Sequence, residues 1–121
     1  MKIGELSKAT GVSIRSLRYY EKQGLLAADR QLNGYREYNK MAIEQVVTIQ
    51  FYLSLGLSTD QIAGFLHCVM KNKESFCKEI LPVYQKKLEE INSQIDLLNA
   101  IKSNLEERIA SILEESGGML Q

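Results

Sequence analysis

Apolar residues Ile3, Leu6 and Ala9 recur at helical spacing and predict a short first helix that ends at Thr10-Gly11. Gly11 can take the left-handed conformation that closes a helix. Ser13 is a good N-cap for a second helix to about Gln23, and Gly24 closes that one in the same way. Two short helices joined by a glycine-containing turn predict a helix-turn-helix. On the second helix Ile14, Leu17 and Tyr20 share the face expected to pack on the first, whereas Arg15, Ser16, Arg18 and Tyr19 lie towards the other. A wing is predicted over about 26–38, because Asn33-Gly34 favours a type I′ hairpin turn and Tyr35-Arg36-Glu37-Tyr38 alternates like a strand. So short a hairpin must pack on the helices to stand.

A third helix is expected from about Lys40 to Leu55, with Ile43, Val46, Val47, Ile49 and Leu53 in its apolar stripe and Gly56 at its end. Ser58-Thr59-Asp60-Gln61 has the form of a capping box and opens a fourth helix to about Val69. Ile62, Phe65, Leu66 and Val69 then face inward. The last third changes period. Leu81, Tyr84, Leu88, Ile91, Ile95, Leu98, Leu105, Ile109 and Ile112 follow a heptad alternation, broken only where Lys102 takes a seam position. A helix from 81 to 112 is roughly 48 Å long. It cannot bury its seam against a domain of this size and needs a partner, most simply a second copy of itself. Pro82 fits the first turn of such a helix.

The predicted class is therefore mainly α: a winged helix-turn-helix domain over 1–72, with second helix-turn-helix about 40–69, then a connector and dimerisation helix over 73–121. The coiled coil is expected at about 81–113 and a flexible tail at 116–121. Net charge is zero, yet residues 1–40 hold eight basic against four acidic groups and residues 41–121 seven against eleven. A basic front and an acidic rear suit a chain that lays only its N-terminal part on phosphates. No signal-peptide pattern and no bilayer-length apolar run are evident, so a cytoplasmic protein without a membrane partner is expected. An enzyme would need a nucleophile–base pair or a clustered acid/base site, and the single His67 belongs to no such constellation.

The stretches Ile3–Ser13, Ser16–Leu26 and Asn33–Tyr38, followed by Leu55-Gly56-Leu57-Ser58 with Gln61-Ile62, closely resemble the MerR family of bacterial transcription regulators in content and order. Ala27-Ala28 departs from the family, which usually carries a proline after Gly-Leu-Leu. The resemblance implies a homodimer, its C-terminal helices antiparallel, bound to pseudo-palindromic double-stranded promoter DNA. It also implies that the promoter is bent and untwisted so that RNA polymerase engages elements spaced too far apart. Arg15 and Arg18 match positions at which family members read bases or clasp backbone, and Tyr35, Arg36 and Tyr38 match phosphate contacts of the wing. A guanidinium suits either task. Tyr35 and Tyr38 have the alternative of packing the hairpin onto the helices. Ser13 is expected as cap and phosphate neighbour, Ser16 and Tyr19 as hydroxyl contacts, and Asn33 and Gly34 as turn residues whose N–H groups face phosphate.

Cysteines 68 and 77 are too few for a disulfide scaffold or an iron–sulfur cluster, and they lack zinc-motif spacing. His67 and Cys68 diverge by roughly 100° on a helix and do not share an ion. Cys77 matches a ligand position of metal-sensing family members, but the end of the dimer helix supplies no further cysteine. The expectation is a structural cysteine, no metal site and no cofactor. A small ligand around Phe65, Val69, Phe76 and Tyr84 is the alternative to ordinary core. The effector is not legible.

Overall fold

The computed structural model describes residues 1–30 and 36–119. Its order is α1 (Ile3–Thr10), α2 (Ile14–Lys22), β1 (Asp29–Arg30), β2 (Arg36–Glu37), α3 (Met41–Ser54), α4 (Thr59–Lys71), a 3-10 turn (Glu74–Phe76) and α5 (Ile80–Met119). The chain divides into two compact units, Met1–Val83 and Tyr84–Gln121.

In the first unit α1 packs on α2 and α3, and α3 on α4. The turn between α1 and α2 is fixed by local hydrogen bonds. Gly11 sits at φ 74°, and its N–H reaches the Ser7 carbonyl at 2.8 Å. Ser7 Oγ donates to the Val12 carbonyl at 2.6 Å, and Thr10 Oγ1 donates to that of Leu6 at 2.8 Å. Val12, which follows Gly11, is buried. The core is built from Leu6, Leu17, Tyr38, Val46, Ile49, Ile62 and Phe65. Tyr52 adds edge-on ring contacts, 5.2 Å to Phe51 and 4.7 Å to Phe65 between centroids. Gln50 Nε2 donates to the Tyr20 hydroxyl at 2.7 Å and ties α3 to α2.

Strands β1 and β2 pair antiparallel with Asp29 opposite Glu37 and Arg30 opposite Arg36. The expected Asn33-Gly34 turn and Tyr35 lie outside the described residues. The capping box of α4 forms as expected: Ser58 Oγ accepts from the Gln61 N–H at 3.2 Å and Gln61 Oε1 from the Ser58 N–H at 2.9 Å.

Several expectations require correction. On α3 the buried face is Ala42, Val46, Ile49 and Tyr52, while Val47 is 56% exposed and Ile43 and Leu53 are half-buried. Apolar residues surround much of that helix, so periodicity alone could not select the inward face. Val69 is likewise only half-buried on α4, and Ile14 lies outside the buried face of α2. The first compact unit takes in the connector, which buries Cys77 and Ile80. Residues 116–119, expected to be frayed, continue α5 through Gly117-Gly118 to Met119. Extending an existing helix gains a hydrogen bond per residue, against about 1 kcal/mol for each glycine relative to alanine.

The second unit consists of α5 from Tyr84 onward. Pro82 is the third residue of α5, where a first-turn N–H has no intrahelical partner to lose. Leu81, Leu88, Ile95, Leu98, Leu105, Ile109 and Ile112 are all exposed, as the seam predicts for a single chain, and Tyr84 and Ile91 are half-buried. Ile101 and Leu113 also face solvent and flank the apolar strip, Ile101 directly beside Lys102, and Leu97 is exposed further round the helix. The sequence pattern passed over these three because they lie off the heptad positions. Among the described residues no helix is long and apolar enough to cross a membrane.

Candidate nucleic-acid interface

Helix α2 owes its position to Leu17 and Tyr20, which are buried against the rest of the unit. That anchoring turns Arg15, Arg18 and Tyr19 outward, with Ser13 exposed at the N-terminus and Ser16 half-buried. Positions 18 and 19 each lie about one helical turn from position 15, so both of their side chains neighbour Arg15 on the exposed side of α2. Ser13 Oγ accepts the Ser16 N–H at 3.1 Å and donates to Ser16 Oγ at 3.0 Å. The cap fixes where α2 begins, and with it the phase at which the arginines project. Ser13→Ala is expected to cost about 1 kcal/mol of stability, read as a lowered Tm. DNA affinity measured well below that Tm separates the two roles of Ser13: an unchanged value leaves it a cap alone.

The wing is held from beneath. Tyr38 is 1% exposed and its hydroxyl donates to Glu21 Oε1 on α2. Its N–H reaches the Met1 carbonyl at 2.7 Å. The Met1 α-amino group donates to the Tyr38 carbonyl at 2.7 Å and to Glu37 Oε1 at 2.8 Å. Tyr38, expected among the phosphate contacts, is therefore a core anchor of the wing, since a buried and occupied hydroxyl has no surface to offer DNA. No sequence signal linked Glu21 or Glu37 to this role, because their partners lie 17 and 36 residues away. Arg36 takes its place in β2, next to that anchor.

A second cluster lies where the connector returns to α4. The Asn72 N–H caps α4 on the Cys68 carbonyl at 2.9 Å, and Asn72 Nδ2 reaches the same carbonyl at 3.2 Å. The 3-10 turn then brings Cys77 back to α4, so that one ligand atom from each of Cys68, Cys77 and Glu79 lies within 4.8 Å of the others. Cys77 is buried, and its Sγ donates to Glu79 Oε2 at 3.3 Å. Burial first, then hydrogen bonding with Cys68 and Glu79, pushes the Cys77 thiol up to about 11. The Cys77 hydrogen bond holds the Glu79 carboxyl below its ordinary value. This overturns the premise that Cys77 stands alone. A nine-residue separation has no helical period, and only the folded connector makes the pair. His67 lies elsewhere, on a shallow cavity of about 160 Å³ shared with Gly24, Leu25, Gln45, Ala63, Leu66 and Met70.

A capped second helix with an outward arginine face, a wing anchored beside it and a long apolar-seamed helix define a DNA-binding transcriptional regulator. Residues 2–38 match the family described as MerR family regulatory protein. A probable heavy metal-dependent transcriptional regulator of Haemophilus influenzae is 33% identical, over 88% of this chain and 83% of that one. The regulator HmrR of Rhizobium leguminosarum bv. viciae is 31% identical, over 88% and 81%. Among solved structures, the lead(II) complex of PbrR691 from Ralstonia metallidurans CH34 shares the fold with a TM-score of 0.77, at 23% identity over 88% of this chain and 83% of that one. The chain belongs to the MerR family of transcriptional regulators.

Proposed function

We propose that this regulator binds a pseudo-palindromic promoter as a homodimer and distorts the DNA so that RNA polymerase can engage it, under control of an effector. The outward face of α2 carries the reading: Arg15 and Arg18 are exposed while Leu17 and Tyr20 of the same helix are buried. A helix so anchored offers guanidinium groups to a major groove without moving its backbone. Ser13, Ser16 and Tyr19 supply hydroxyls near the same surface, and Asn33, Gly34, Tyr35 and Arg36 of the wing are assigned to the flanking phosphates. The exposed seam of α5 supports pairing of two chains, antiparallel as in the family, which places two α2 helices on one duplex. Acting on a promoter puts the protein in the cytoplasm of a bacterium.

The test is protection of the DNA upstream of the chain's own gene, combined with end-to-end fluorescence transfer across the protected duplex. A symmetric footprint with a shortened end-to-end distance is the expected result. A footprint of a single half-site would overturn the dimeric reading, and an unchanged distance would overturn distortion.

A further inference from the structure

We infer that Cys68, Cys77 and Glu79 form an intrachain site for a borderline-soft divalent cation of the zinc or cadmium type, clasping the connector to α4. The ligand atoms already lie within 4.8 Å of one another, and the Cys77–Glu79 pair stands at 3.3 Å. A tetrahedral ion with sulfur at about 2.3 Å and oxygen at about 2.0–2.2 Å needs its donors roughly 3.5–3.8 Å apart. The closure required is about one ångström, within the reach of side-chain rotation at half-buried Cys68 and exposed Glu79.

The donor set fixes the chemical class. Two thiolates and one carboxylate disfavour magnesium and calcium and suit zinc or a softer ion, leaving a fourth position for water. Burial matters as well. Cys77 is sequestered, so an ion bound there is shielded on one side by protein and meets solvent through Glu79. On binding, each thiol loses its proton to solvent, so two protons leave as one dication enters. Both cysteines come from the same chain and from the first compact unit, so the site needs neither a partner subunit nor any residue of the seam.

The location gives the site a use. Cys68 lies one turn from the end of α4, and Glu79 immediately precedes α5. Between them lie the last residues of α4, the 3-10 turn and the segments that flank it, and an ion would tie the two ends together, reducing the freedom of the connector just where the long helix begins.

The full chain, reduced and freed of metal, is titrated with Cd(II) while thiolate-to-metal charge-transfer absorption is followed. Competition with a chromophoric chelator then gives the Zn(II) affinity. One ion per chain is expected, with the absorption of two thiolates. Cys68→Ser, at a half-buried position, should lower affinity by more than the roughly 10–100-fold that loss of a mere supporting group causes. Cys77→Ser should do the same, and Glu79→Gln should weaken binding while keeping the absorption band. Far-UV circular dichroism identifies any variant that fails to fold, and Cys68→Ser then carries the test. Absence of binding by the reduced chain, or binding unchanged in folded Cys68→Ser, overturns the site. DNA does not enter this experiment, so its failure and failure of the promoter reading are separate results.

Discussion

A chain carrying both Ile95→Glu and Leu98→Glu is expected to sediment as a monomer and to bind operator DNA far more weakly than the parent. In the single chain Ile95 is 48% exposed and Leu98 63%, so about half of each side chain remains to be buried by a partner. Full burial of such a side chain is favourable by about 1.5–3 kcal/mol, so each seam residue contributes roughly 1 kcal/mol per protomer. Nine seam positions on each of two chains then exceed the entropy of association, whereas four buried carboxylates per dimer reverse the sign locally. The domain over residues 1–83 should keep its circular dichroism contribution, while α5 loses part of its helicity because an unpaired helix in water is marginal. Sedimentation velocity checks the first outcome and operator titration the second. A mutant that remains dimeric refutes the seam.

Arg15→Ala and Arg36→Ala should both weaken DNA binding, but in different ways. Loss of a base-reading arginine costs roughly 1–3 kcal/mol per half-site, hence about 2–6 kcal/mol in a symmetric dimer, and relaxes preference at one position of each half. Loss of a phosphate contact weakens all sequences alike and lowers the salt slope by about two units per dimer. Arg15 stands on the exposed face of α2, and Arg36 follows the backbone of a wing anchored through Tyr38. We therefore expect Arg15→Ala to blur the preferred site and Arg36→Ala to flatten the salt dependence; Arg18→Ala should resemble the former. Titrations of specific and scrambled duplexes at two salt concentrations decide. Identical profiles would remove the division between reading and positioning and leave DNA binding itself in place.

The glycine and serine punctuation was legible because capping is local. Gly11, Ser13, Gly24, Gly56 and Ser58 each act on neighbours within a few residues, and the structure uses each where it was expected. The α5 seam was legible for a related reason, since seven-residue periodicity survives in a single long helix without knowledge of any fold. The outward placement of Arg15 and Arg18 followed from the same logic, given that Leu17 and Tyr20 had to face inward.

Interactions within one or two helical turns set the short elements and the exposed arginine face, and the repeat along α5 sets its need for a partner. Packing between distant segments selected the buried side of α3, drew Tyr38 into the core through Glu21, and brought Cys68 to Cys77 and Glu79. Those outcomes depend on residues 9 to 17 positions apart, or on rival apolar faces of one helix. Such contacts carry no periodic trace in the chain, and they are selected only when the connector and wing close onto a shared core.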